Sequence, residues 1–245
     1  MRVKSLVIGY VFALALLLFA ERHPSSAKPS GFHSVIDLTF SSDAQLASGT
    51  DTRDKLKSAS YVISDEHKRG DKRLPESVET RMEAPASFSA GLWKVDQIPA
   101  QRLVAPLVVL DVRNSMKQDP AYQVSVDDIS SWEKIHGEIP LGSVVMVLTD
   151  STKNTVPSAG YSADAAKFLI EGREVVGLGI DSQSVDSGWS HDRPVYEYAL
   201  SRSAYVLENV ANLDRAPAVG GMVMVAPPKL QNRTNASVRI LALAR

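Results

Sequence analysis

The chain has 245 residues, of which 44% are hydrophobic and 22% charged, so it is long enough to bury one substantial core. Its formal net charge is −1 and only 7% of its residues are aromatic, which excludes the basic footprint of a nucleic-acid-binding protein. Because the chain contains no cysteine, disulfides, thiolate nucleophiles and thiolate metal sites are excluded as well.

The first 27 residues have the pattern of an export signal. Arg2 and Lys4 give a positive start, residues 6–20 form an apolar run, and residues 25–27 are small enough for cleavage. The run is short for a membrane helix, which needs ~20 apolar residues, although an uncleaved anchor is the alternative. We therefore predict a signal peptide over 1–27, one domain over 28–245, a secreted or periplasmic location, and no stable membrane span after cleavage.

The remaining chain alternates β-type and helical patterns. A mixed-charge stretch over 65–73 predicts an exposed loop, and Ser125 is a plausible N-cap for a helix. In chain order we predict strands over 34–39, 107–112, 143–149, 175–180, 221–226 and 238–243, and helices over 126–136, 162–170 and 194–203. This pattern is typical of the α/β class, and the Val-, Ile- and Leu-rich strands indicate that both sheet faces are covered.

Several blocks, taken together and in order, resemble the cyclase family of metal-dependent hydrolases, to which kynurenine formamidase and isatin hydrolase belong. The blocks are residues 35–39, 84–88, 95–99, 107–112, 177–181, 207–213 and 225–227. The resemblance implies a single compact domain with a mixed β-sheet core and flanking helices. It also implies a homodimer or higher homo-oligomer and, in active members, a divalent metal site that hydrolyses an amide.

The family's metal-binding motif is mostly replaced. The motif reads His-x-Gly-Thr-His-x-Asp-x-Pro-x-His and aligns without gaps to residues 77–87; a further histidine stands twelve residues before a glutamate. The corresponding residues here are Ser77, Arg81 and Ser87 for the three histidines, Glu83 for the aspartate, Tyr196 for the later histidine and Glu208 for the glutamate. By this resemblance Glu83 and Glu208 are the residual metal ligands.

The replacements argue against a metal. A serine hydroxyl is a poor ligand, and arginine is a permanent cation with no lone pair to donate. We therefore expect no cofactor; the alternative is an oxygen-ligated Mn²⁺ or Mg²⁺, or Zn²⁺. We predict that the Arg81 guanidinium forms an ion pair with both Glu83 and Glu208, since it would neutralise two carboxylates that otherwise repel each other.

Few other residues could rebuild a site. His191 stands five residues before Tyr196 and could turn toward the old site, and Asp181 is a pocket residue or, on the simpler interpretation, a loop cap. Gly177 and Gly179 are too short a match to a dinucleotide fingerprint, and tight packing of a core strand explains them better.

Two functions from different classes follow. The first is a catalytically silent relative that binds a small-molecule ligand or a partner protein. The second is an active arylformamidase-type hydrolase, acting on N-formylkynurenine or a related amide through an altered site. A third reading is an assembly role, in which the chain pairs with an active paralogue.

Overall fold

The computed structural model describes residues 31–40, 79–149, 159–187 and 192–244. A compact unit begins at Ser34, and of the residues before it only 31–33 are described. The predicted signal peptide over 1–27 and the predicted loop over 65–73 therefore lie outside the described residues. Within the described part of the chain, none of the helices has the length and apolar character needed to cross a membrane.

Eleven strands and four α-helices are present in the described ranges. The strands are β1 (Ser34–Asp37), β2 (Arg81–Glu83), β3 (Val104–Asp111), β4 (Gln123–Val124), β5 (Val144–Leu148), β6 (Gly160–Tyr161), β7 (Gly177–Ile180), β8 (Tyr205–Glu208), β9 (Gly221–Ala226), β10 (Asn235–Ser237) and β11 (Arg239–Ala244). The helices are α1 (Arg113–Met116), α2 (Val126–His136), α3 (Ala163–Lys167), which continues as a π-helix over Phe168–Gly172, and α4 (Pro194–Ser201). Short 3₁₀ helices cover Pro85–Ser87, Val95–Gln97, Ala100–Arg102 and Leu213–Arg215.

Nine of these strands form one mixed sheet, in the order β1-β11-β9-β3-β5-β7-β8-β2-β10. Strands β3, β5, β7 and β8 run parallel, and the pairings outside them are antiparallel. Strands β10 and β11 lie toward opposite ends of this order, yet only Val238 separates them in sequence. The sheet therefore curls on itself, and the Val238 amide closes the curl by donating a hydrogen bond to the Thr80 carbonyl at 3.0 Å.

Two buried clusters lie on the two faces of this sheet. The inner face, which the curl encloses, carries side chains from β1, β2, β3, β5, β8, β9 and β11. The outer face carries Val108, Val145 and Val206, which pack against helices α2, α3 and α4. The predicted α/β class and the mixed sheet with flanking helices are confirmed, and the central strands are covered on both faces as expected.

Local signals account for the best-predicted elements. Helix α2 has the predicted bounds because Ser125 caps it: the Ser125 hydroxyl accepts from the Asp128 amide at 3.2 Å, and the Asp128 carboxylate accepts from the Ser125 amide at 2.7 Å. Gly179 is required by close packing, since a Cβ there would lie 2.8 Å from Met146 Cγ.

Other predicted bounds were wrong by a few residues. The first strand ends at Asp37 rather than at residue 39, and the predicted strand over 107–112 begins at Val104 because it pairs there with β9. The predicted helix over 162–170 changes to a π-helix at Phe168, and the one predicted over 194–203 ends at Ser201 because Ser203 takes a positive φ of 63°.

Candidate functional site

The register of two short strands builds the centre of the site. Strands β2 and β8 pair antiparallel, with Arg81 opposite Glu208. Glu83 lies two residues beyond Arg81, and because side chains alternate across a strand both point to the outer face of the sheet. Met82, between them, points to the inner face, where it is fully buried. The three charged side chains therefore meet on one face.

Arg81 bridges the two glutamates. Its Nη2 atom pairs with Glu83 Oε1, and its Nε atom lies 3.2 Å from Glu208 Oε2. Both carboxylates are buried, at 4% and 2% side-chain exposure, whereas the arginine side chain is 37% exposed. Burial lowers the pKa of Arg81, but the neighbouring carboxylates of Glu208 and Glu83 outweigh it and hold that pKa above its ordinary value. The ion pair that the sequence predicted is present in the structure.

The other carboxylate oxygen of Glu83 is also fully engaged. Glu83 Oε2 accepts hydrogen bonds from Ser87 Oγ at 2.9 Å and from the Tyr196 hydroxyl at 3.1 Å. Ser87 ends the 3₁₀ helix that starts at Pro85, and Tyr196 lies in the first turn of α4. Burial, reinforced by the nearby Glu83 charge, raises the pKa of Tyr196, so this hydroxyl stays protonated and acts as a donor.

Glu208 has a different environment. Its Oε1 atom is buried and has no hydrogen-bond partner among the described residues, while Arg193 Nη2 lies 3.8 Å away. Burial raises the pKa of Glu208 to about 7, although the Arg81 charge acts in the opposite direction. The Arg193 guanidinium also stacks 3.6 Å from the centroid of the Tyr196 ring. Two arginines therefore flank this carboxylate.

Sequence reasoning missed Arg193 and Asp186. Asp186 caps α4: its carboxylate accepts hydrogen bonds from the backbone amides of Val195 at 2.8 Å and Tyr196 at 3.1 Å. Burial raises the pKa of Asp186, and those two amides partly oppose the rise. Arg193 takes the left-handed conformation, with φ of 43°, immediately before Pro194. A proline at the first helical position was a signal for the start of α4, but nothing local identified its cap.

The remaining candidates fall into two groups. Ser77 and His191 lie outside the described residues. The Asp181 carboxylate accepts hydrogen bonds from the Thr149 amide, at 2.9 Å, and from the Thr149 hydroxyl, at 2.6 Å. The interpretation of Asp181 as a loop cap therefore agrees with the structure.

The donor set of the described residues does not fit a divalent cation. Three of the four oxygens of Glu83 and Glu208 already face Arg81, Ser87 or Tyr196. Within the described ranges, no three His, Cys, Asp or Glu side chains come together as a group that could hold a metal. A guanidinium beside both carboxylates supplies the positive charge that a metal would otherwise supply.

An open cavity of about 510 Å³ lies at the seam where the sheet closes. It is lined by residues that follow β1, that precede β2, and that lie where β9 ends and β11 begins. Its polar lining includes Glu79, Thr80, Ser237 and Arg239, and Phe40 and Pro227 give it an apolar side.

Comparison with known proteins identifies the family. The Cyclase family model matches residues 36–187. The isatin hydrolase of Roseibium aggregatum is 32% identical over 191 residues, which are 69% of this chain and 72% of that protein. The structure of isatin hydrolase A from Ralstonia solanacearum has a TM-score of 0.63 at 28% identity and covers 68% of this chain and 72% of its own. Isatin hydrolase A from Labrenzia aggregata, bound to benzyl benzoate, shares the fold with a TM-score of 0.69 at 24% identity, covering 86% and 93% of the two chains. This chain therefore belongs to the Cyclase family, whose solved relatives include hydrolases.

Proposed function

We propose that this protein is an exported, metal-free and catalytically silent relative of the family's hydrolases, which binds a small molecule or a partner protein. One observation carries the proposal: the Arg81 guanidinium bridges Glu83 and Glu208, the two residues that align with metal ligands of the family. The old metal site is then a structural ion-pair cluster.

The charge of Arg81 opposes metal binding directly. Two unit charges ~4 Å apart interact by about 4 kcal/mol at an effective dielectric of about 20, and a divalent cation would meet a correspondingly larger repulsion. Ser87 and Tyr196, which align with two of the family's histidines, donate hydrogen bonds to Glu83 instead of offering lone pairs to a metal. These three replacements therefore favour the metal-free arrangement.

Loss of the metal removes the main source of catalysis. A metal can lower the pKa of bound water to about 7 and polarise the scissile carbonyl. Neither Arg81 nor Tyr196 can replace that nucleophile: Arg81 is a cation, and the pKa of Tyr196 is raised. The open cavity of about 510 Å³ at the seam of the sheet is the candidate place for binding a small molecule.

A second candidate function is supported by one specific observation at Glu208. A buried carboxylate with a free oxygen and a pKa of about 7 suits a general base near neutral pH. In that case the protein is an active hydrolase of C–N bonds, of the arylformamidase or isatin hydrolase type, and Glu208 takes a proton from the attacking water.

Hydrolysis assays separate the two candidates. N-formylkynurenine and isatin are each incubated with the purified protein, with and without added Mn²⁺ or Zn²⁺. The silent-relative proposal predicts no rate above that of buffer under any of these conditions. Glu133→Gln is the matched control, because Glu133 pairs with Arg173 away from the site. Turnover that disappears in Glu208→Gln but survives in this control would establish the second candidate instead.

Export is tested separately, on the recovered protein. Mass spectrometry of its N-terminus is expected to find Lys28 as the first residue, because residues 25–27 are small and follow the apolar run. If the protein is found in the membrane fraction with its N-terminus intact, residues 1–27 are an uncleaved anchor and not a cleaved signal.

A further inference from the structure

The solvent-facing side of the ion-pair cluster is positive. The two glutamate side chains are buried, at 4% and 2% exposure, whereas the side chains of Arg81 and Arg193 are 37% and 38% exposed. Two guanidinium groups therefore face solvent above two buried carboxylates. Such an arrangement attracts an anion locally, although the opposite charges of the cluster balance in sum.

The Arg193 guanidinium is held in place with its donors unused. It stacks on the Tyr196 ring and lies 3.8 Å from Glu208, which is beyond hydrogen-bond distance. No residue in the described ranges accepts a hydrogen bond from this guanidinium, which carries five N–H donors in a fixed fork. The nearby Asp186 carboxylate already accepts from two amides of α4. The fork of Arg193 therefore points to an acceptor from outside the chain.

Arg81 also has a nitrogen to spare. Its Nη2 atom pairs with Glu83 and its Nε atom faces Glu208, while Nη1 donates to none of the described residues. Arg81 lies beside Oε2 of Glu208, and Arg193 lies beside Oε1 of the same carboxylate. The two guanidinium groups are therefore neighbours, and unused N–H groups of both lie at one place on the surface.

The backbone of Arg193 is strained where it positions this side chain. Its φ of 43° and ψ of 53° lie in the left-handed region, which glycine or asparagine adopts more easily than arginine. The residue before a proline is restricted further, and Pro194 follows directly. Strained residues of this kind concentrate at sites that hold ligands.

We propose that Arg193 and Arg81 together bind the carboxylate of a small organic monoacid. The flat fork of a guanidinium matches the two oxygens of a carboxylate. One negative charge suits the site better than the higher charge of a phosphate group, because each arginine is already offset by a glutamate.

This place is separate from the cavity at the seam of the sheet, whose lining includes neither Arg81 nor Arg193. The inference rests on the proposed function, because a metal between Glu83 and Glu208 would displace Arg81 from its position.

Isothermal titration calorimetry of the full chain with benzoate, in buffer containing EDTA, tests the site. We expect a dissociation constant of about 1 mM or lower. Benzamide has the same shape without the charge, and it should bind at least ~10-fold more weakly because it lacks charge-assisted hydrogen bonds. Inorganic phosphate should bind more weakly than benzoate.

Variants at Arg193 test the contact itself. Arg193→Gln removes the fork and is expected to raise the dissociation constant for benzoate at least ~10-fold. Arg193→Lys keeps the charge without the fork and should weaken binding almost as much. Arg202→Gln is the matched control, because Arg202 also lies over a tyrosine ring, that of Tyr198, just beyond the end of the same helix. It should leave benzoate binding unchanged.

The outcomes separate this inference from the proposed function. Benzoate binding that persists in EDTA and is lost in both Arg193 variants supports the inference. Equal affinities for benzoate and benzamide, tighter binding of phosphate, an Arg193→Gln variant that binds as the wild type does, or no binding with or without added Mn²⁺ would each overturn it and leave the proposed function standing. Binding that appears only after Mn²⁺ is added would overturn the proposed function as well.

Discussion

Replacing Arg81 by methionine should destabilise the protein in a pH-dependent way. Methionine keeps an unbranched apolar stem and removes the charged guanidinium, which leaves the carboxylates of Glu83 and Glu208 buried side by side. Removing one partner of a buried ion pair typically costs about 3–5 kcal/mol. Because the Arg81 side chain is 37% exposed and its charge is partly screened, we expect the lower end, about 3 kcal/mol at about pH 8.

The loss should be smaller at lower pH. At about pH 5.5 most Glu208 side chains are already protonated, since their pKa is about 7, and only Glu83 loses a charged partner. We therefore expect Arg81→Met to destabilise by about 1–2 kcal/mol at that pH. Urea unfolding followed by tryptophan fluorescence measures both values.

Arg173→Met is the matched control. Arg173 holds Glu133 through two hydrogen bonds at 2.7 and 3.0 Å, and that contact keeps the pKa of Glu133 below its ordinary value. Glu133 therefore stays charged at both pH values, and this variant should lose the same stability at each. Equal losses at the two pH values for Arg81→Met, or a loss below about 0.5 kcal/mol, would refute the account of the cluster.

Three further changes test other parts of the structure. Glu208→Gln should flatten the pH dependence of stability. Because the pKa of Glu208 is raised, the wild-type free energy of unfolding falls by roughly 2–3 kcal/mol as pH rises from about 4.5 to about 7. Urea unfolding at both ends of this range should show no such fall in the variant. Gly179→Ala would place a methyl group against Met146 and should lower the free energy of unfolding by about 1–3 kcal/mol. Gly91→Ala, with open space around it, should change the stability very little. Similar melting temperatures for the two variants would contradict this packing. Asp186→Ala should lower the free energy of unfolding by about 1–2 kcal/mol because it removes the cap of α4. Asp186→Asn, which keeps an acceptor oxygen, should retain most of the stability. Equal losses for the two variants in urea unfolding would rule out the capping role.

The centre of the cluster was predicted through the resemblance to the family, whose motif aligns Arg81 and Glu83 with two metal ligands. The two residues are two positions apart, and strand β2, which was not predicted, places both side chains on one face. Glu208 came from the resemblance to the family, and the antiparallel pairing of β2 with β8 puts it opposite Arg81. The start of helix α2 could also be predicted, because its serine cap and the acidic residue at its third position are visible in the sequence.

The rest of the site depends on tertiary packing. Asp186 reaches the first turn of α4 from nine residues away in sequence, through a segment with no cap motif. Arg193 reaches Glu208 because its left-handed backbone turns the chain into α4, a conformation that arginine does not signal. Strands β2 and β10 escaped prediction because each has three residues, polar in most positions, and forms only against its partners.

The outer side of β9 and β11 shows a further limit of pattern reading. The apolar runs of these strands indicate cover on both sides, whereas among the described residues the buried outer-face cluster contains none from either strand. Met224 is 37% exposed although its neighbours Val223 and Val225 are buried.

Metal stoichiometry tests the central claim most directly. The purified protein is equilibrated with Mn²⁺ or Zn²⁺, unbound ions are removed, and the metal per chain is measured by mass spectrometry of the elements. With Arg81 between Glu83 and Glu208, we predict fewer than about one metal ion per ten chains, because a structural or catalytic site needs three or more ligands that can give up their protons. One metal ion per chain, lost when Glu83 and Glu208 are both changed to glutamine, would contradict the account.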